Sequence, residues 1–345
     1  MPISSDTVLV TGATGRQGGA TARALLAADV PVRALVRDPR SESARAIEAL
    51  GAELVRADLS DRDSLGPAVE GVRAVFSVQS PPMTETSVDF AGELAQATHL
   101  MDAAKAAGVR QFVQSSTSGV GAHTRAAGWA EGRWAAMEDY FRTKQAIMEA
   151  VRDAGFARWT VIKPAFFMEN LPLLAPKGPR GGLLTVLKPE TELALVAVRD
   201  IGTAAAHALR DPDRFHQVEL ELAGDLRTME QIARTLSAAW GVPVTAPSMS
   251  LEEALDAGMP TWGAGHEWNN AVLQPARPEF ARELDIPVTT FAEWADEQPA
   301  PVSGQCPAQP VRPPPWGRRR RRVSGPERAI HRYAAHAEVV GRNGK

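Results

Sequence analysis

Short runs of β-branched and apolar residues alternate with longer segments whose apolar positions recur at helical spacing, and this rhythm governs the first half of the chain. The runs at residues 7–11, 31–36, 53–56, 74–78, 111–114 and 159–163 predict strands. The segments at 17–28, 41–50, 61–70, 87–107 and 133–154 predict the helices between them. Six βα-like units imply a parallel sheet covered on both faces, with right-handed crossovers, so the fold class is doubly wound α/β. After Pro164 the rhythm changes: a Pro- and Gly-rich stretch, 172–182, precedes short strands predicted at 184–187 and 193–198. Helices are then predicted at 200–209, 228–240, 251–257 and 290–298. The chain thus divides into a sheet domain over 5–165 and a smaller α+β lobe over 166–298, from which the sheet can receive a late strand. From Pro299 the pattern dissolves into Pro, Arg and Gly, including the arginine run 318–322. Too little apolar surface remains there to offset chain entropy, and 299–345 is expected to be disordered.

Composition narrows the partners. The chain has 345 residues and is 44% hydrophobic, enough for one large or two modest cores. Residues 1–298 carry 28 Lys and Arg against 39 Asp and Glu, whereas 299–345 carry 10 against 2. A body that acidic excludes nucleic acid as its primary partner, because phosphate binding needs a net-basic face; only the tail arginines offer one. No run of apolar residues is long enough for a membrane span, and the amino terminus lacks the order of a secretory signal, so the cytoplasm is the expected location. Cys306 is the sole cysteine, which leaves no internal disulfide and no thiolate zinc cluster, and with seven scattered histidines no metal site is expected.

The sharpest chemical feature follows the first strand: Thr11-Gly12-Ala13-Thr14-Gly15-Arg16-Gln17-Gly18, a G-x-x-G-x-x-G turn opening an Ala-rich helix. Gly12 suits a tight turn, Gly15 lets the main chain approach a pyrophosphate, and Gly18 permits close packing of the helix. The first-turn amides and the positive helix end then face the anion, with Thr14, Arg16 and Gln17 beside it. At the end of the second strand stands Arg37-Asp38-Pro39-Arg40. The Arg37 fork, with Arg40 as a second cation, suits a 2'-phosphate and hence NADP; a solvated Arg37 with Asp38 on the ribose would give NAD. Asp58 and Leu59, after the third strand, stand where an acid can accept from the adenine amino group, or Asp58 is an ordinary turn residue.

These residues resemble the short-chain dehydrogenase/reductase superfamily, and more closely its NmrA-like branch. The matching stretches are Thr11 to Gly18, Arg33-Ala34-Leu35-Val36-Arg37-Asp38-Pro39, Pro164-Ala165-Phe166-Phe167-Met168-Glu169-Asn170 and Asp200-Ile201-Gly202, within a likeness spanning about residues 5–298. The resemblance implies an NADP-preferring Rossmann domain with a small C-terminal lobe. The branch includes NAD(P)H-dependent reductases, quinone reductases among them, and proteins that bind the dinucleotide to report redox state.

Tyr140 and Lys144 lie at i and i+4, hence on one helix face. An ammonium beside a phenol stabilises the phenolate and fits it for proton transfer to or from a carbonyl or alcohol oxygen, while the same lysine can hydrogen-bond the nicotinamide ribose. NmrA-like proteins often lack this tyrosine, so its presence points toward retained catalysis; alternatively Tyr140 is a rim residue and Lys144 only holds the cofactor. By resemblance to extended short-chain reductases, Thr117 in Ser115-Ser116-Thr117 is the hydroxyl that polarises a substrate carbonyl, with Ser116 behind it. Gln79, after the fourth strand, and Pro164 and Phe167, after the sixth, complete the expected cofactor contacts. Phe166, Phe167 and Met168 offer apolar surface for a flat ligand or are plain core. Residues 80–89 and 121–134 are expected as mobile loops over the crevice, with Trp262, His266 and Trp268 facing it or serving structure.

The reading is an NADPH-dependent oxidoreductase passing hydride to a small carbonyl or quinone-like acceptor. Its alternatives are a non-catalytic NADP(H) sensor acting on a protein partner, and a nucleotide-sugar epimerase or dehydratase, which would call for a larger, more polar second lobe. The sequence leaves the substrate and the oligomeric state open.

Overall fold

Three consecutive apolar residues make Val8–Val10 (β1) a strand buried on both faces, as the centre of a helix-covered parallel sheet requires. The computed structural model describes residues 6–82, 88–175, 177 and 181–301; the predicted disordered tail, from residue 302 onward, lies outside the described residues. β1 pairs in parallel with Val32–Val36 (β2) on one side, but with Ala74–Ser77 (β4) on the other. Glu53–Arg56 (β3) flanks β2, and Gln111–Ser115 (β5) and Arg158–Pro164 (β6) continue beyond β4. The strand order therefore reverses between β1 and β4, and ligands of such sheets bind in the crevice at the carboxyl ends of the strands around that point.

Two apolar layers cover the sheet. On one face Arg16–Ala27 (α1) and Val198–Arg210 (α6) contribute Ala22, Leu25, Ile201 and Ala205. On the other, Phe90–Ala106 (α4) and Ala135–Asp153 (α5) contribute Leu100, Ala104, Ile147 and Val151. Glu42–Glu48 (α2) and Leu65–Val69 (α3) complete the crossovers. The motif Asp200-Ile201-Gly202 serves this packing. A β-carbon on Gly202 would lie 2.4 Å from the Ala20 carbonyl carbon, so only glycine lets α6 lie against α1. Asp200 accepts from the Thr289 amide and hydroxyl, each at 2.8 Å, tying the chain's last described turns to the sheet domain; burial raises its pKa.

The second lobe contributes strands to two sheets. A seventh strand, Val218–Leu222 (β9), joins the edge of the main sheet beside β6, although it follows residue 165 by more than fifty positions. Residues 184–187 form no strand. Their side chains are buried, but the Thr185 hydroxyl accepts from the Leu187 amide at 3.2 Å, a local bond that competes with sheet pairing. The small sheet consists of Phe166–Phe167 (β7), Glu192–Val196 (β8) and Asp225–Thr228 (β10), with β8 parallel to β7 and antiparallel to β10. Met229–Trp240 (α7), opened by a Thr228–Gln231 capping box, and Phe291–Asp296 (α10) pack on it through Ile232, Leu236, Phe291 and Trp294. Leu251–Ala257 (α8) follows its predicted span, while Pro278–Glu283 (α9) and the 3-10 segment Thr261–Asn270 were not anticipated. No helix among the described residues is long and apolar enough to cross a membrane.

Candidate functional site

At the carboxyl end of β1 the chain turns sharply. Gly12 adopts φ +61, and a β-carbon there would meet Val78 Cγ1 at 2.8 Å. The Thr11 hydroxyl donates to the Val78 carbonyl (3.0 Å) and accepts from its amide (2.8 Å), clamping the ends of β1 and β4 together. The turn closes through the Gly15 amide to the Gly12 carbonyl, 2.8 Å. α1 then opens on Gly15 with no side chain capping it among the described residues, while Gly12, Thr14 and Gly15 are exposed. At Gly18 a β-carbon would lie 2.2 Å from the Thr11 carbonyl oxygen, so this glycine brings the helix onto the turn. Two neighbours stiffen the helix start. Arg16 donates to Asn170 Oδ1 (2.8 Å) in the second lobe, and the Ser115 hydroxyl donates to Gln17 Oε1 (2.6 Å).

Next to the turn, beyond β2, Arg37, Asp38, Pro39 and Arg40 share an open cleft of about 550 Å3 with Arg56, from the end of β3. Sequence reasoning missed Arg56, because only the β2–β3 register (Val36 beside Arg56) brings it there. Asp38 is held by its own neighbour: it accepts the Arg40 amide at 3.0 Å and lies 3.5 Å from the Arg40 guanidinium. That amide bond, helped by the arginine charge, keeps its carboxyl below the ordinary value. Asp58 accepts the Ser60 amide at 2.9 Å in a turn, and Leu59, half-buried beside it, lends its carbonyl to the His99 ring, 3.1 Å. The Gln79 side chain is buried, donating to the Ser77 hydroxyl (2.6 Å) and accepting from Gln114 (3.0 Å).

Tyr140 and Lys144 share one face of α5, as their spacing requires, yet the lysine's short contact is elsewhere. Its Nζ stands 6.0 Å from the centroid of the Tyr140 ring and 2.6 Å from Oε1 of Glu93 on α4. Glu93 is a second residue that sequence reasoning missed; it lies 51 positions away, and no local pattern links the two. Thr117 is half-buried, whereas the hydroxyls of its neighbours Ser116 and Ser118 are buried without a hydrogen-bond partner among the described residues. The backbone around Thr117 is anchored. The Ser118 amide donates to the Pro164 carbonyl (2.9 Å), and the Gly119 amide to Glu221, which is paired with Lys163 at 2.7 Å.

Of the expected substrate wall, Phe166 and Met168 are core residues of the second lobe, and only Phe167 remains half-exposed. Residues 83–87 of one expected loop lie outside the described residues. In the other, 121–134, His123 is buried and stacked on Phe141 at 4.7 Å and Trp134 donates to the Ala127 carbonyl, while Gly121, Thr124, Arg125 and Arg133 are exposed. Trp268 joins that cluster at 5.0 Å from Phe141 and is structural. His266 sits edge-on between Phe166 (5.0 Å) and the exposed Trp262 (5.3 Å), with a buried Nδ1 that has no hydrogen-bond partner among the described residues.

Burial pushes the His266 pKa down to about 4 from 6.5. An unfolded chain takes up this proton near pH 6.5 and the folded chain only near 4, so stability falls as pH drops through that window and levels off below it. A His266→Phe variant is therefore expected to lose less melting temperature over this range than the parent. Parallel curves would remove His266 from the acid sensitivity.

A family model described as the NmrA-like family matches residues 4–266. An NAD(P)H azoreductase of Xenophilus azovorans is 32% identical over 300 residues, covering 84% of this chain and 96% of that protein. Among solved structures, the Citrobacter sp. triphenylmethane reductase complexed with NADP(H) superposes with a TM-score of 0.68 at 20% identity, covering 85% of this chain and 99% of the other. An Escherichia coli NADPH-dependent quinone oxidoreductase complexed with NADPH does so with a TM-score of 0.64 at 23% identity, covering 84% and 98%. At such identities the structures speak for the fold, while the sequence match takes in the glycine turn, the cationic cleft and the α6 contact. On that span of agreement, the chain belongs to the NmrA-like family.

Proposed function

We propose that this chain is an NADPH-dependent oxidoreductase that reduces a small, flat acceptor of the carbonyl, quinone or azo class. The observation that carries the reading is the turn with exposed Gly12, Thr14 and Gly15, leading into a helix whose N-terminus no side chain caps among the described residues. Such a helix end attracts a pyrophosphate. The rest of the site fits the same group: the glycines leave no β-carbon in the way, and Arg37, Arg40 and Arg56 surround a cleft suited to a 2'-phosphate. When bound, NADPH supplies the hydride.

The chain's own residues bind, orient and move a proton. Gly12, Thr14, Gly15, Arg16, Gln17 and Gly18 cradle the pyrophosphate, and Asp58 and Leu59 border the adenine. Gln79, Pro164 and Phe167 border the nicotinamide, and Lys144 orients its ribose. Tyr140 delivers a proton to the acceptor oxygen, which Thr117 polarises. The sequence relative supports the reaction class: the match takes in 96% of the azoreductase.

A screen of carbonyls, quinones and azo dyes with NADPH tests this. The parent is expected to turn over at least one class; for a carbonyl, Tyr140→Phe should lower kcat by about 100-fold, the scale of a general acid. For a quinone, where stacking matters more than the proton relay, the loss should be much smaller. Intact NADPH binding without turnover of any acceptor would sink the enzyme reading and favour a redox sensor acting on a protein partner.

A further inference from the structure

The helices α4 and α5 meet in two rungs. The Phe90 ring stands edge-on to Tyr140 at 6.4 Å, and about one turn along each helix Glu93 meets Lys144 at 2.6 Å. The Glu93 side chain is 0% exposed and that of Lys144 13%, so the pair is nearly dry. Burying a carboxylate is unfavourable by several kcal/mol unless it is paired and hydrogen-bonded, and an apolar pair of similar volume is often as stable. Glu93 Oε2 is buried with no hydrogen-bond partner among the described residues. What the pairing does accomplish is to fix an otherwise flexible ammonium on the helix face that also carries Tyr140.

We infer that Glu93 is the positioning residue of this site, holding the Lys144 ammonium in the place from which it donates to the nicotinamide ribose. This rests on the reading of the crevice as a dinucleotide site. Glu93 touches neither cofactor nor substrate; it acts through Lys144. Without its charge the ammonium swings toward solvent, and the donor is present in the chain but absent from the site.

A double-mutant cycle tests it, with the NADPH dissociation constant from calorimetry as the first readout and kcat and KM as the second. Glu93→Gln and Lys144→Met are each expected to weaken NADPH about tenfold, the loss of one charge-assisted hydrogen bond. The double variant, which leaves no unpaired charge in the pair and so keeps the fold, should bind no worse than either single one. Glu93→Asp, which retains the charge, should recover part of the affinity lost in Glu93→Gln. A structural role predicts otherwise: Glu93→Gln would lower the melting temperature and weaken NADPH equally with or without Lys144. Additive losses, or NADPH affinity within twofold of the parent in Glu93→Gln, overturn the inference. A parent that binds NADPH but reduces nothing sinks the reductase reading and leaves the binding cycle to decide on Glu93; a parent that binds no dinucleotide sinks both.

Discussion

Replacing Gly18 by alanine is expected to weaken NADPH binding by at least about 100-fold and to lower stability by about 1–2 kcal/mol. The added methyl would sit 2.2 Å from the Thr11 carbonyl oxygen and 2.4 Å from the Gly12 carbonyl carbon and oxygen, all main-chain atoms that cannot rotate aside. Alanine in a helix is worth up to about 1 kcal/mol over glycine, which offsets part of the overpacking cost of about 1–3 kcal/mol but not the whole. The turn must then lift off the helix. Its amides leave the positions from which they reach an anion, and two charge-assisted bonds of about 1.5–3 kcal/mol each account for the binding loss. Gly15→Ala is the milder control, since its β-carbon would approach the Gly12 carbonyl oxygen only to 3.2 Å. Calorimetry with NADPH and the urea midpoint check both. If Gly18→Ala binds and melts like the parent, the packing argument for this turn fails.

Arg37→Asp should shift the preference between NADPH and NADH by about 2 kcal/mol, or roughly 30-fold, chiefly by weakening NADPH. The effect comes from replacing a planar, bidentate cation by an anion beside a cleft that Arg40 and Arg56 also line. Arg56→Ala should act in the same direction but less, because it removes a charge without adding an opposing one. All these positions are exposed, so the preference should shrink as ionic strength rises. The ratio of dissociation constants for the two coenzymes, measured at low and high salt, is the readout. An unchanged ratio in Arg37→Asp would exonerate the arginine and return the ribose to Asp38.

Much of this site was readable from local pattern. β1 to β6 sit within two residues of their expected positions because each is a short apolar run between polar turns, and β3 coincides with its predicted span. The glycine turn was legible for the same reason: its spacing is contiguous, so no tertiary information is needed to place it. Features set by long-range partners were not. The sequence allows the main sheet a late strand from the second lobe, but β9 reads Val-Glu-Leu-Glu-Leu, an alternation too short to single out 218–222 as that strand. The apolar run at 184–187 carried a strand's composition, but Thr185 bonds within the segment instead. Phe166 and Met168 looked equally suited to a ligand or a core, and burial assigned them to the core. Glu93 and Arg56 acquire meaning only beside Lys144 and Arg37, which lie on other elements.

The seventh strand bears on how the chain can be cut or made. Until residue 222 has left the ribosome, β6 has no neighbour on one side and presents its unpaired amides and carbonyls to any other nascent strand. Expression of the amino-terminal half by itself would therefore yield a sticky edge rather than an autonomous coenzyme-binding module, and any dissection of this molecule has to keep both halves together.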